Sequence, residues 1–234
     1  LANIPHKQIE DLALVYRFSV GRDEYGQSTI LVKNDMLDRY GITAEQLHED
    51  AMMSAPQIEE PSMKTLFETT AEIMGEDFFE LMGEVEPAMP GVYVCTNESK
   101  HHGASVLMYP NFMDEVADKL GGDFYIIPSS IHETLLFPAK DVENYHDLEA
   151  MVREVNETQV APEERLSDNV YHYDAEAKVF ELAQHHEERM ADMEKDSGDR
   201  SEKASVLKDL TAKSKEVAEK APAPKEHAAP KKSR

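Results

Sequence analysis

The residue types best suited to chemistry lie in residues 128–133, "PSSIHE", between two runs of strand-forming residues. Ser130 supplies a hydroxyl, as does the preceding serine, His132 supplies an imidazole and Glu133 a carboxylate. A hydroxyl beside an imidazole is the pair that activates a serine nucleophile, and adjacent His and Glu occur in metalloprotease helices. Both kinds of site require further residues at fixed spacing.

The spacing excludes the two simplest enzyme sites. A zinc protease helix reads H-E-x-x-H, but the residue four positions after His132 is Leu136. A nucleophile elbow reads G-x-S-x-G, and residues 128–133 contain no glycine. We interpret the segment as a polar turn in which Ser129 and Ser130 hydrogen-bond the backbone. Ser130, His132 and Glu133 are the candidate catalytic residues of an alternative hydrolase hypothesis.

Other potential ligand residues also lack the required patterns. The pairs at 101–102 and 185–186 are adjacent histidines without C-x-x-C partners. The acidic residues between 59 and 86 form no D-x-[DN]-x-[DN]-G calcium loop, and no Walker A or G-x-G-x-x-G loop is present. We therefore expect no metal, no cofactor and no nucleotide. Several methionines could form an adaptable binding groove, but we interpret them as residues that fill the core: Met52, Met53, Met63, Met74, Met82 and Met89.

Hydrophobic periodicity predicts the elements that position this turn. Period-two alternation predicts strands, and spacings of three and four predict helices. A capping-box spacing at Thr43 and Gln46 begins one helix, which Pro56 closes. Strands are predicted at 11–20, 28–34, 91–97 and 104–110, on both sides of the turn within 123–138, and as a hairpin within 170–182. Helices are predicted at 34–41, 42–56, 111–122 and 141–158, with one or two more within 62–83.

Hairpins outnumber crossovers in this order of elements, which favours an α+β fold. We expect an antiparallel sheet built from hairpins with helices packed on one face. The α+β domain is expected to cover residues 1–183, with an acidic, Met-rich helical insertion at 57–90. Residues 184–234 are polar and charged, which predicts a tail that is helical and then disordered.

Charge is concentrated in the body of the chain. The chain has 47 acidic and 24 basic residues, a net charge of −23. Residues 196–234 contain 10 basic and 7 acidic residues, so the body before them is strongly acidic. Such a body repels nucleic-acid phosphates and anionic membranes. We expect no direct nucleic-acid or membrane binding, and the charge favours a basic protein partner.

Cysteine content and hydropathy indicate a cytoplasmic protein. Cys95 is the single cysteine, which excludes an intrachain disulfide and suits a reducing compartment. No apolar run approaches the roughly 20 residues of a transmembrane helix, and the N-terminus lacks the pattern of a signal peptide. The chain begins at Leu1 without Met, so we expect it to be part of something longer.

Four long stretches resemble an uncharacterised bacterial family, domain of unknown function 5688. They are "IPHKQIEDLALVYRF", "YGITAEQLHEDAMMSAP", "LGGDFYIIPSSIHETLLFP" and "LEAMVREVNETQVAPEERLSDNVYHYD", and the resemblance covers about residues 3–183. It implies a protein of gut anaerobes, encoded within mobile or conjugative elements, and a further N-terminal segment. It implies no activity.

Three functional hypotheses follow. The first is a non-enzymatic cytoplasmic accessory protein that binds another protein. The second is a hydrolase of unrecognised type centred on Ser130, His132 and Glu133, whose side chains must then converge in a pocket. The third is an acidic mimic of DNA that blocks a host defence, which requires carboxylates at regular spacing along one face.

Overall fold

The structure is a computed structural model that describes residues 1–23, 26–75 and 91–195. The predicted helical segment at 76–83 and the tail beyond residue 195 lie outside the described residues. The strands are β1 (His6–Ile9), β2 (Leu12–Val15), β3 (Arg17–Asp23), β4 (Gly26–Leu31), β5 (Pro61–Thr65), β6 (Tyr93–Asn97), β7 (Phe124–Ile127), β8 (Thr134–Pro138), β9 (Tyr171–Asp174) and β10 (Val179–Leu182).

The described α-helices are α1 (Asn34–Tyr40), α2 (Ala44–Ile58), α3 (Leu66–Met74), α4 (Phe112–Leu120), α5 (Tyr145–Thr158) and α6, whose described part covers residues 183–195. Thr43 caps α2 as predicted, because its side chain accepts from the Gln46 backbone N–H and the Gln46 side chain accepts from the Thr43 N–H. Pro56 lies inside the last turn of α2, so this helix ends at Ile58, two residues later than predicted.

A six-stranded antiparallel sheet forms the centre of the fold, in the order β10-β9-β7-β8-β6-β5. The hairpins β7–β8 and β9–β10 are sequential pairs, as predicted. Long-range pairing joins them, since β7 pairs with β9 and β8 pairs with β6. The α+β class and the hairpin-built antiparallel sheet are confirmed.

Helices cover both faces of this sheet, where the sequence analysis placed them on one. Phe124 and Ile126 of β7 pack in the same cluster as Val116 of α4. Ile127, on the other face of β7, packs in a cluster with Val152 of α5. The central strands are apolar at successive positions, and such strands are buried on both faces. Periodicity predicts the amphipathic helices, but it does not determine which face of the sheet each helix covers.

The N-terminal elements form a smaller layer with a core of its own. Its buried residues lie between β2 and β3, directly after β4, in α1 and in α2, and they are Tyr16, Val32, Leu37 and Leu47. The predicted strand at 11–20 is two strands with different partners, because β2 pairs with β1 and β3 pairs with β4. Asp11 ties this layer to the loop before β9, since its carboxylate accepts from Ser167, Asn169 and Tyr171.

The predicted strand at 104–110 is wrong. Residues Gly103–Met108 form a 3-10 helix, and β6 pairs instead with β5 and β8. Val106 and Leu107 of this 3-10 helix are buried in the core beside α4. A short apolar run does not distinguish a strand from a buried helical turn. The strand β5 was likewise missed, because residues 62–65 precede α3 without a turn signal between them.

By its contacts the chain divides into two compact units, Leu1–His186 and Glu187–Arg234. The described residues of the second unit, 187–195, are helical. The domain boundary predicted at residue 183 stays a prediction. Among the described residues, no helix has the length and apolar character needed to cross a membrane.

Candidate functional site

Residues 128–133 form the turn between β7 and β8, and its hydroxyl groups bond to the backbone. The His132 N–H donates to Ser130 Oγ over 3.0 Å, and the Ser130 N–H donates to the Glu133 carbonyl over 3.2 Å. A serine hydroxyl that accepts from the N–H two residues later shapes a turn. Ser130 therefore has a structural role in this loop.

Strand β6 and the loop before β9 hold the turn in place. Thr96 Oγ1 donates to the His132 carbonyl over 2.8 Å, and the Ile131 N–H donates to the Glu164 carbonyl over 2.9 Å. Gly103 lies so close that a Cβ there would collide with Thr96 Oγ1 and the His132 carbonyl. The backbone of the turn is thus fixed from both sides.

Three imidazoles gather beside the turn. The ring centroids of His101 and His102 lie 5.0 and 5.8 Å from that of His132. His132 Nδ1 accepts from the His102 backbone N–H over 3.3 Å, which places the proton of neutral His132 on Nε2, 3.5 Å from Glu164 Oε1. Burial, together with Arg17 and the two other histidines, lowers the pKa of His102 to about 4.

The hydrogen bonds of the described residues do not join the three candidate catalytic groups into one set. Ser130 Oγ bonds the backbone of His132, and the His132 ring bonds His102 and faces Glu164. Glu133 is partly exposed at the entrance to β8. The carboxylate beside His132 is Glu164, which sequence reasoning missed because no local spacing connects these residues. The hydrolase hypothesis stays a prediction.

Two cavities of the described residues are small, and one of them borders the turn. One, lined by the turn and α5, has a volume of about 20 Å³, which is the size of a single water. A second, about 160 Å³, lies between α4 and β9 and is lined by Asp114, Tyr173 and Lys178 among others. The Tyr173 hydroxyl and Lys178 Nζ both donate to Asp114. Both volumes are below the roughly 300–1,000 Å³ that small-molecule sites usually occupy.

An exposed apolar surface lies on the N-terminal layer of the fold. It consists of Phe18, Val20, Ile30 and Tyr40, which we call the ribbon patch, and these residues are 38, 61, 49 and 66% exposed. Phe18 lies directly opposite Ile30 across the β3–β4 ribbon, and the Tyr40 ring meets the Phe18 ring edge-on at 5.9 Å. Clustered apolar groups on a surface mark interaction sites.

The ribbon that carries this patch is an incomplete sheet. Within the described residues, β3 and β4 pair with each other and with no third strand. The sequence of β4, "GQSTIL", contains no charged residue and no proline, and these are the residues with which proteins block exposed strand edges. A two-stranded ribbon is marginally stable in water by itself. The edge of β4 is therefore a template for a further strand.

Comparison with known proteins assigns the chain to a family. A profile described as "Family of unknown function (DUF5688)" matches residues 1–175. The chain belongs to this family. The DUF5688 match covers β1 to β9 and ends before β10, so it is slightly shorter than the resemblance over 3–183. Neither a curated protein nor a solved structure matches the chain.

Proposed function

We propose that this DUF5688 chain is a non-enzymatic protein-binding domain and that its partner docks on the ribbon patch and the edge of β4. The observation that carries the proposal is the ribbon patch itself, in which three large apolar side chains lie on an incomplete sheet and Tyr40 of α1 lies beside them. Buried aromatic side chains supply much of the binding energy at protein interfaces. Phe18 and Tyr40 are the aromatic anchors of this surface.

The unpaired edge of β4 and the negative net charge of the chain indicate the chemistry of the partner. An extended segment added to β4 would satisfy its outward backbone groups, with apolar side chains contacting Phe18 and Ile30. A second copy of this chain would bring another net charge of −23, and like charges oppose association. A basic protein would instead be attracted, because complementary charge accelerates encounter. We therefore assign the surface to an extended apolar segment of a basic protein.

The proposal extends to a cytoplasmic accessory protein of a bacterial mobile element. The resemblance described above supports the mobile-element context, and the single, buried Cys95 suits a reducing compartment. The hydrogen-bonding pattern around Ser130 and His132 does not favour the hydrolase alternative. No described feature is specific to DNA mimicry, and that hypothesis is not carried further.

The test compares variants of the ribbon patch with a matched control. We would capture partners from the organism that encodes the protein, using wild type and the double variant Phe18→Ser/Ile30→Ser in parallel. Met53→Ser is the control, because Met53 is 65% exposed on α2 and lies outside the ribbon patch. A protein recovered with wild type and Met53→Ser would then be purified and its dissociation constant measured against all three.

We expect the double variant to bind this partner at least roughly 30-fold more weakly, the effect of losing an interface hot spot of about 2 kcal/mol. Added salt should also weaken binding by wild type, since the partner is basic. Equal affinity of wild type and the double variant would overturn the assignment to the ribbon patch. A partner that is acidic, or that is a second copy of the chain, would overturn the assignment of its chemistry.

A further inference from the structure

Three side chains of metal-binding type meet where the β9–β10 hairpin leads into α6. His172 of β9 lies directly opposite Glu181 of β10, and His186 follows in the first turns of α6. One possible ligand atom from each residue lies within 4.8 Å of the others. His186 Nδ1 is 3.2 Å from Glu181 Oε1, and the His172 and His186 rings stack with their centroids 3.7 Å apart.

His172 and Glu181 are buried and His186 is partly buried, and one nitrogen of His172 lacks a hydrogen-bond partner among the described residues. His172 is 2% exposed, and within the described part of the chain its Nδ1 has no hydrogen-bond partner. Buried polar atoms are nearly always satisfied by a protein group, a water or an ion. A metal ion bound by these three residues would give the buried His172 ring a polar partner that it lacks.

A further carboxylate lies behind His172. Its Nε2 is 3.9 Å from Asp123 Oδ2, on the side of the ring opposite to the unpartnered Nδ1. Histidines that bind metals commonly direct their other nitrogen to a carboxylate, which fixes the ring and the tautomer. Asp123 is placed to have this role for a metal bound at Nδ1.

The electrostatics of the cluster suit a cation. The carboxylates of Asp123, Asp174 and Glu181 all act on His172 electrostatically, and the same negative charges would attract a cation.

We propose that His172, Glu181 and His186 form a binding site for a divalent transition-metal ion, with Zn²⁺ as the best match to the ligands. Two imidazole nitrogens and one carboxylate oxygen are a ligand set that zinc favours, and three protein ligands leave one coordination position open. The stacked rings would turn so that both nitrogens point at the ion. The bound ion would link β9, β10 and the start of α6.

This site is independent of the ribbon patch and was not predicted from the sequence. The histidine pair at 185–186 showed no metal-binding pattern in the sequence, because the register of the β9–β10 hairpin is what brings His172 and Glu181 beside His186. Glu181 and His186 also lie beyond residue 175, where the family match ends.

The test is a metal titration of the full chain after chelator treatment and dialysis. Zn²⁺ would be titrated against a chromophoric chelator, and Co²⁺ would serve as a spectroscopic probe. We expect one equivalent to bind wild type, with a tetrahedral or five-coordinate Co²⁺ spectrum. Glu181→Gln and His186→Gln should bind at least about 100-fold more weakly, and Asp123→Asn about 10- to 100-fold more weakly.

His185→Gln is the matched control, because His185 is adjacent, about half exposed and paired with Glu10 instead of the cluster. It should keep the wild-type affinity. Circular dichroism of each metal-free variant verifies that it is folded. Zn²⁺ should raise the melting temperature of wild type and of His185→Gln, but not that of His186→Gln. Absence of one-equivalent binding by folded wild type, or equal losses in His185→Gln and His186→Gln, would overturn the proposal.

Discussion

At the scale of single residues, the turn at 128–133 shows what residue types alone leave undetermined. The polar-turn interpretation from the sequence agrees with the hydrogen bonds of Ser130, whose hydroxyl accepts from the His132 backbone. The sequence did not reveal that His101 and His102 pack against His132, because the loop before the 3-10 helix brings them there. Local spacing identifies the turn, whereas the tertiary fold determines which side chains surround it.

The partly buried position of His102 predicts a pH dependence of stability. Its pKa is about 4 in the folded protein, chiefly because of burial, against an ordinary value of 6.5. As the pH falls below 6.5, the unfolded chain takes up a proton that the folded chain does not. Stability contributed by neutral His102 is therefore present above pH 6.5 and is lost progressively down to about pH 4.

The substitution His102→Asn removes this titration and leaves the backbone N–H that donates to His132 in place. Asn also tolerates the left-handed conformation of residue 102, whose φ is 52°. Urea unfolding from pH 7 to pH 4 should show a shallower loss of stability in the variant, by well under about 1.4 kcal/mol per pH unit because solvent screens a partly exposed group. His6→Asn, at an exposed site on β1, is the control, and an unchanged slope in His102→Asn would contradict the prediction.

At the scale of elements, local sequence signals identified most hairpins and helices correctly. The capping box at Thr43, the β7–β8 hairpin and the helix over 145–158 all follow from spacing and turn residues. Residues 104–108 were mistaken for a strand because their apolar character reflects burial in the core and not alternation. The partners of β6 lie far along the chain in both directions, and no turn signal predicts such pairing.

Gly103, at the start of the 3-10 helix, gives a sharp test of this packing. A Cβ at Gly103 would collide with Thr96 Oγ1 and the His132 carbonyl, and would lie 2.8 Å from the Asn97 nitrogen. Two of these three atoms belong to the backbone, so a side-chain rotation cannot relieve the overlap. We expect Gly103→Ala to lower the free energy of unfolding by about 2–4 kcal/mol, as severe overpacking does.

Gly21→Ala is the matched control for this prediction. Nothing lies within 4 Å of the position that its Cβ would occupy, so its effect should stay within about 0.5 kcal/mol. Chemical denaturation of the two variants and wild type measures both values. A Gly103→Ala protein as stable as Gly21→Ala would show that the turn and the 3-10 helix are not packed as described.

At the scale of the whole molecule, the net charge and the fold class could be predicted from the sequence, but the exposed apolar surface could not. The net charge of −23 and the α+β class were accessible from the sequence. The ribbon patch was not, because Phe18 and Ile30 resemble core residues of an ordinary hairpin until the sheet is known to stop at two strands. The exposure of a strand residue depends on whether another element covers it, and hydrophobic periodicity does not contain this information.

The central claim is that a partner segment adds to the edge of β4, and amide hydrogen exchange with the purified partner tests it most directly. A strand added there would hydrogen-bond outward amides of residues 26–31 and slow their exchange. Exchange in the edge strand β10, on the central sheet, should stay unchanged. Protection of β4 in wild type and its loss in Phe18→Ser/Ile30→Ser is the predicted result. Unchanged exchange in β4 under saturating partner would contradict it.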